Sequence, residues 1–404
     1  MTTLRDLALF GGDPLTTVPL HVGAPNIGDR ERLHELIDDA LDRRWLTNDG
    51  PYVQAFERRV AELVGVERCI ATSSATTGLM LLAACLDLRG EVVMPALTFV
   101  ATAHAMRWQG LTPVFADVDA DTLTLSPASA ASAISDQTSA VLGVHLWGTP
   151  CDVDGLDRLA QDRSCALLFD AAHALGSHVG GRPVGSCGVA EVFSFHATKL
   201  CNAFEGGVVA TNDLGLAAAL DGARNFGFSD EDQISGLGIN AKMSEVSAAM
   251  GLVSLDAMDH FADVNRTNHE HYRLGLAGAA GIVLRDPDIG STPTRPYVVA
   301  ELDGGPGLTR DELLTVLRTE NVLARRYFSP GCHRVPPYRR DPRSSPVPLP
   351  VTEAVLDRVL VLPTGTATPT SAIDRICEVI CCLTAHPDQV RARMASLAGA
   401  TARR

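Results

Sequence analysis

The chain has 404 residues, with 34 Lys or Arg against 48 Asp or Glu, a formal net charge of −14 at pH 7, and 46% apolar residues. That balance excludes a nucleic-acid polymer as partner, a disordered chain and a single small module, and leaves a folded protein with room for more than one domain. The start, MTTLRDLALFGGDPL, has neither the basic residues nor the apolar stretch of a signal peptide, and no run approaches the ~18 apolar residues of a membrane helix, so a cytoplasmic protein is expected.

From about residue 54 helix-like and strand-like segments alternate. AFERRVAELVG has apolar residues at helical spacing, RCIAT leans to strand, TTGLMLLAACLDL to helix, EVVMPA to strand and VATAHAMRWQG to helix. PVFADVD, SAVLGVHLWG, ALLFDAAH, AEVFSFHA and GGVVATND then read as near-continuous apolar strands. Such strands are expected where helices cover both faces of a parallel sheet. GTPCDVDG reads as a loop and SHVGGRPVGSCG as a Gly-rich hairpin. A long helix-like stretch, SEVSAAMGLVSLDAMDHFADVNRTNHEHYRLGL, leads into the Gly- and Pro-rich AGAAGIVLRDPDIGSTPTRP. The pattern predicts a large α/β domain over 1–270 that includes the N-terminal arm. A smaller α+β domain follows over 271–386, with PYVVAELD, DELLTVLRTENV and AIDRICEVICCLTA as its elements, and then a loosely held tail over 387–404. Ten cysteines are scattered without zinc spacing, and Cys377, Cys381 and Cys382 read as small residues on one helix.

The segment VFSFHATKLCNAFEGG places Lys199 between an apolar strand and a glycine turn, in a chain whose cations are nearly all arginine. Desolvation lowers the pKa of a lysine and makes it an amine nucleophile fit to join an aldehyde cofactor, although a lysine snorkelling from a strand end is an equally simple reading. Asp170 ends the apolar strand ALLFD, where a carboxylate needs a cation or a donor. Ser73 to Thr77 open a helix and offer hydroxyls and free N–H groups to a phosphate. Phe99 follows a strand and a proline, where its ring can stack on a flat heterocycle or pack in the core. The order is phosphate cup, aromatic, aspartate, lysine, within one α/β domain.

That order resembles the sugar aminotransferase branch of the fold-type I enzymes that use pyridoxal 5′-phosphate (PLP), the DegT/DnrJ/EryC1/StrS family. WLTNDGPYVQAFE, TSSAT, MPALTFVATAHA, FADVDADT, GVHLWGTPCD, FDAAHALGS, FSFHATKLCNAFEGG, RNFGF, GINAKMSEVSAAMGL and NVLARRYFSPGCHRVPPYR carry the likeness, which covers nearly the whole chain. The resemblance implies a mostly parallel central sheet flanked by helices, a smaller C-terminal α+β domain, and transfer of an amino group from glutamate to C4 of a dTDP-4-keto-6-deoxy-hexose in natural-product biosynthesis. It also implies that Lys199 holds PLP covalently and moves the proton, Asp170 meets the pyridine nitrogen, Phe99 stacks on the ring, and Ala75, Thr76 and Ser194 hold the phosphate. Asn240 would reach the phosphate of the neighbouring subunit in a homodimer with shared sites. His173 matches a position near the cofactor and His333 one on the substrate side. Arg224, Lys242, Arg325 and Arg326 are candidates for the diphosphate. Two departures stand out: Ala75 replaces a common glycine, and Phe169 replaces an acidic residue before Asp170. Relatives that dehydrate sugars carry histidine in place of the lysine, so Lys199 argues against that activity. C3 amination, amination of a cyclitol or an aminoshikimate-type ketone, and a catalytically silent protein are the other readings.

Overall fold

The computed structural model describes residues 2–230, 232–286, 291–292 and 294–401. Its central sheet has seven strands: β1 (Arg68–Thr72), β2 (Glu91–Pro95), β3 (Thr112–Ala116), β4 (Thr138–Val144), β5 (Ala166–Asp170), β6 (Ala190–Ser194) and β7 (Gly207–Thr211). They lie in the order β1-β7-β6-β5-β4-β2-β3. β6, β5, β4, β2 and β3 pair in parallel, and β7 is antiparallel to both β6 and β1.

Alternate residues of each strand feed opposite layers, which is why the strands read as unbroken apolar runs. Val92, Leu168, Val192 and Val209 face α3 (Ala75–Cys85), α4 (Val100–Trp108) and α7 (Leu214–Ala223). Their neighbours point the other way. Phe193 and Val208 meet α2 (Pro51–Val64) and α8 (Glu245–Asp256), while Val93 and Leu167 meet α5 (Pro127–Ala133) and α6 (Val153–Arg163). A second core forms around a three-stranded antiparallel sheet, β8 (Ile282–Leu284), β9 (Val298–Leu302) and β10 (Val359–Leu362), with α10 (Arg310–Thr319) and α12 (Thr370–Ala385) packed on it.

Several expectations are revised. The stretch from Ser244 is two helices, α8 and α9 (Met258–Gly275), broken at Ala257. Position 270 therefore lies inside a helix that joins the two cores, with Phe261 in one and Tyr272 in the other. The N-terminal arm packs on the smaller unit: Leu7, Leu9 and Leu15 enter its core, and the Glu320 carboxylate accepts the N–H groups of Ala8 and Leu15 at 2.7 and 3.0 Å. The described part of the tail is a docked helix, Pro387–Thr401, in which Val390 is buried and Arg393 Nε donates to the Leu9 carbonyl at 2.9 Å. CDVDG is less a loop than the start of α6, where Asp152 caps the helix by accepting the Gly155 N–H. A further helix, α1 (Arg30–Arg43), precedes the predicted alternation; its burial is confined to Leu36 and Ala40, so its apolar stripe is thin. Among the described residues no helix is long and apolar enough to cross a membrane.

Candidate active site

The chemistry-bearing residues gather at the C-terminal edge of the parallel strands, the edge where open α/β sheets bind ligands. Asp170 ends β5 and is buried. Its Oδ2 accepts the Thr102 hydroxyl at 2.7 Å, and its Oδ1 accepts the Ala172 N–H at 3.1 Å. Burial pushes this carboxyl up from its ordinary range, against the pull of those two donors and of Lys199. A cation facing the carboxylate would reverse the upward push.

Lys199 lies in the turn between β6 and β7, and its Nζ donates to the Tyr297 hydroxyl at 3.4 Å. Desolvation lowers the amine to about 8, with Asp170 opposing that fall. An ammonium is thus converted to a partly neutral amine close to physiological pH. Lys199, Ser194, Ala172, His173 and Tyr297 line one small recess.

The phosphate cup is set by helix geometry. Ser74 caps α3, its hydroxyl accepting the Thr77 N–H at 3.1 Å, while the Thr77 hydroxyl accepts from the Ser74 N–H. The next N–H groups, of Ala75 and Thr76, have no hydrogen-bond partner among the described residues. Orphan donors at a helix N-terminus form an anion site. Ala75 is not among the residues with positive φ, so alanine suits a position where relatives often have glycine. Glycine is instead required across the cup, because a Cβ on Gly207 would lie 2.3 Å from the Ala75 nitrogen. Ser194 ends β6 opposite Gly207.

Phe99 sits at the N-cap of α4, 54% exposed, its ring 5.9 Å from Phe328. Phe328 also stacks on His173 at 5.8 Å and 4°. His173 Nδ1 accepts the Trp147 N–H at 3.2 Å, which leaves the ring proton on Nε2. Burial holds this imidazole neutral, well below its ordinary pKa, and nearby Lys199 adds to the effect. Phe169, which takes the place of an acid, is buried and stacks on His145 at 4.7 Å. Thr102, Tyr297, Trp147 and Phe328 were not singled out from the sequence. Thr102, Trp147 and Phe328 left a trace there, since each lies within a stretch that carries the family likeness.

The remaining candidates are placed differently. His333 is nearly buried; its Nε2 bonds Glu353 at 2.7 Å, Nδ1 has no partner among the described residues, and burial followed by Arg334 lowers it to about 4. Its loop is tied to the Phe99 loop through the Cys332 N–H and the Ala96 carbonyl, 2.9 Å apart. Arg224 is buried and saturated: it pairs with Glu57, Asp221 at 2.8 Å and Asp49 at 3.4 Å, and donates to the Ala71 carbonyl at 2.8 Å. Both of its terminal nitrogens are engaged within the fold, which argues against a diphosphate contact. Arg325 and Arg326 are exposed beside the smaller sheet, Arg326 reaching Asp311 at 3.4 Å. Lys242 donates to Asn225 Oδ1 at 2.9 Å and lies over the Phe226 ring. Asn240 is exposed and bridges to Asn225, next to Ala241, whose carbonyl accepts the Ser73 N–H at 2.7 Å. Lys242 and Arg224 line a broad groove of ≈ 1230 Å³ that holds neither Lys199 nor Asp170.

A partly neutral lysine, a buried aspartate and a bare helix N-terminus on a mostly parallel sheet define the class of fold-type I PLP-dependent aminotransferases. The chain belongs to the DegT/DnrJ/EryC1/StrS aminotransferase family, whose model matches residues 28–381. It is 33% identical over 348 residues to the dTDP-4-amino-4,6-dideoxy-D-glucose transaminase of Escherichia coli, 86% of this chain and 93% of that one. Against the GDP-perosamine synthase of Caulobacter vibrioides it is 30% identical over 363 residues, covering 88% and 96%. A crystal structure of DesI in the presence of its TDP-sugar product matches with a TM-score of 0.91 and 51% identity, over 98% of this chain and 100% of that one. The protein is a PLP-dependent nucleotide-sugar transaminase.

Proposed function

We infer that this enzyme moves an amino group from glutamate to C4 of a dTDP-4-keto-6-deoxy-hexose, as a homodimer whose sites are shared. The observation that carries the reading is the convergence of Lys199, Asp170 and the N-terminus of α3 on one strand edge, joined to the 51% likeness to DesI and its TDP-sugar product. The residues fit PLP. Asp170 is a buried carboxylate pushed up by burial and suited to face a protonated ring nitrogen. An ion pair at ~4 Å is worth ~4 kcal/mol at an effective dielectric of ~20, about three pKa units. Bare N–H groups of Ala75 and Thr76, with Ser194 opposite, suit the phosphate, and Gly207 keeps the cup open. Phe99 offers an exposed ring face, and His173 an Nε2 proton held in place by Trp147.

When bound, PLP supplies the electron sink that lets an amine be exchanged for a ketone. The chain supplies orientation and proton transfer. Nζ of Lys199, lowered to about 8, is the group placed to take and return the proton in each half-reaction, a role typically worth ~10²–10⁴ in rate. With Arg224 consumed inside the fold, the diphosphate falls to Lys242, Arg325 or Arg326, and a sugar contact to His333. The groove beside Lys242 supports the dimer: Leu237 and Ile239 border it at 96% and 40% exposure, an apolar surface suited to a second copy. In that dimer Asn240 would complete the partner's phosphate cup.

Incubating the enzyme with glutamate and a panel of dTDP-3-keto and dTDP-4-keto sugars, then locating the new amine by NMR, tests the reading. Amination at C4 is expected. Amination at C3 alone would overturn the regiochemistry, and a failure of glutamate to convert the bound cofactor to its amine form would overturn the donor.

A further inference from the structure

The turn after β4 holds a hydrogen-bond donor with no acceptor among the described residues. Trp147 is 7% exposed, and its indole Nε1 is enclosed without a partner among the described residues. A donor removed from water without an acceptor is unfavourable, and native structures seldom keep one unless a water or a ligand completes it. The backbone pays a second cost to hold the ring there: Trp147 sits at φ 54°, ψ 22°, a left-handed conformation that is strained for a bulky side chain.

Two hydrogen bonds fasten this turn to the catalytic segment. The His145 N–H donates to the Asp170 carbonyl at 3.0 Å, and the Trp147 N–H to His173 Nδ1 at 3.2 Å. The indole lies parallel to Phe328 at 6.2 Å, and Phe328 in turn contacts Phe99 and His173. The unpaired donor thus belongs to the same aromatic wall as the residues assigned to the cofactor.

The chemistry of its acceptor follows from the surroundings. Trp147 lies in an apolar cluster with Leu146, Leu356 and Val359, against which Phe328, Tyr297 and Tyr327 pack, and its ring faces Phe328. A carboxylate, the polar end of the amino donor, calls for an arginine or lysine. A single neutral N–H on an apolar wall suits a neutral oxygen, as on a sugar, where few polar groups fix orientation and apolar surface supplies contact. We propose that the Trp147 indole N–H donates a hydrogen bond to an oxygen of the bound hexose and so helps set which sugar is accepted and how it is turned. This rests on the nucleotide-sugar reading above.

The test compares wild-type and Trp147→Phe holoenzymes by calorimetric titration with dTDP-4-amino-4,6-dideoxyglucose and with dTDP alone. The variant keeps a ring and loses the N–H. Amino-sugar affinity should fall about tenfold, the size of one lost hydrogen bond, while dTDP affinity stays unchanged. Equal loss for both ligands would mark a structural role and overturn the proposal, as would no loss for either. A wild-type enzyme that binds neither would instead overturn the nucleotide-sugar reading and take this proposal with it. A second measurement needs no change at Trp147. The chain has three tryptophans, so its indole N–H signals can be assigned through Trp45→Phe and Trp108→Phe. The Trp147 signal should move on adding the amino sugar and stay in place on adding dTDP; the same movement with both ligands would count against the contact.

Discussion

Lys199 and Lys242 are the two lysines of the chain, which makes the environment of the amine proposed as catalytic directly measurable. Its ordinary pKa of 10.5 falls to about 8 because burial penalises the ammonium more than Asp170 supports it. A neutral amine is the reactive form, so acetylation of Lys199 in cofactor-free protein should accelerate as pH rises through about 8, read by mass spectrometry. Asp170→Asn removes the group that raises the amine, so its midpoint should move to lower pH. An unmoved midpoint would show that Asp170 does not act on Lys199. Both residues were legible in the sequence because a charge beside a run of apolar residues is conspicuous. Tyr297, Trp147 and Phe328 were not. An aromatic side chain in an apolar stretch reads as core, and only the tertiary fold brings the Tyr297 and Phe328 rings against His173 and the Trp147 ring against Phe328. Arg224 misled for the opposite reason: its motif matched, but its partners Glu57 and Asp49 lie more than 160 positions away in the chain.

The helix α3 and the strand β7 show how one close approach builds a binding cup. Gly78 sits on the sheet-facing side of α3, where a Cβ would lie 3.1 Å from Val192 and 3.2 Å from Val209, and Gly207 meets the first turn of the same helix. Replacing Gly207 by alanine forces a Cβ into the Ala75 backbone. Overpacking of that kind typically costs ~1–3 kcal/mol. Gly207→Ala should therefore lower the melting temperature and weaken PLP uptake together, since the N–H groups of Ala75 and Thr76 must move. Retained PLP affinity at lowered stability would separate the cup from this helix end. The apolar periodicity revealed these elements well. It failed at α1 and at Ala257, where the first helix buries too little to show a stripe and two successive helices share a continuous helical pattern.

The whole molecule is held by long-range straps that a local pattern does not reveal. The arm residues Leu7, Leu9 and Leu15 enter the smaller core, α9 spans both cores, and the Asn26 side chain donates to the Leu200 carbonyl at 3.1 Å, next to Lys199. The open groove beside Lys242 and the exposed Asn240 offer a surface that the proposed second copy would cover. Complementation between two inactive variants tests whether that copy shares the site. Lys199→Ala removes the amine of its own chain, and Asn240→Ala removes the residue offered to the partner. If Asn240 works across the interface, a mixed dimer contains one site with Lys199 and Asn240 both intact. Random reassociation of equal amounts makes half the dimers mixed, so about a quarter of wild-type activity should return on mixing. If Asn240 serves its own chain, no mixed dimer contains more than the residual activity of its parents, and mixing should restore none. Sedimentation of each variant before mixing shows that both remain dimers, so a negative result bears on the sharing of the site and not on assembly.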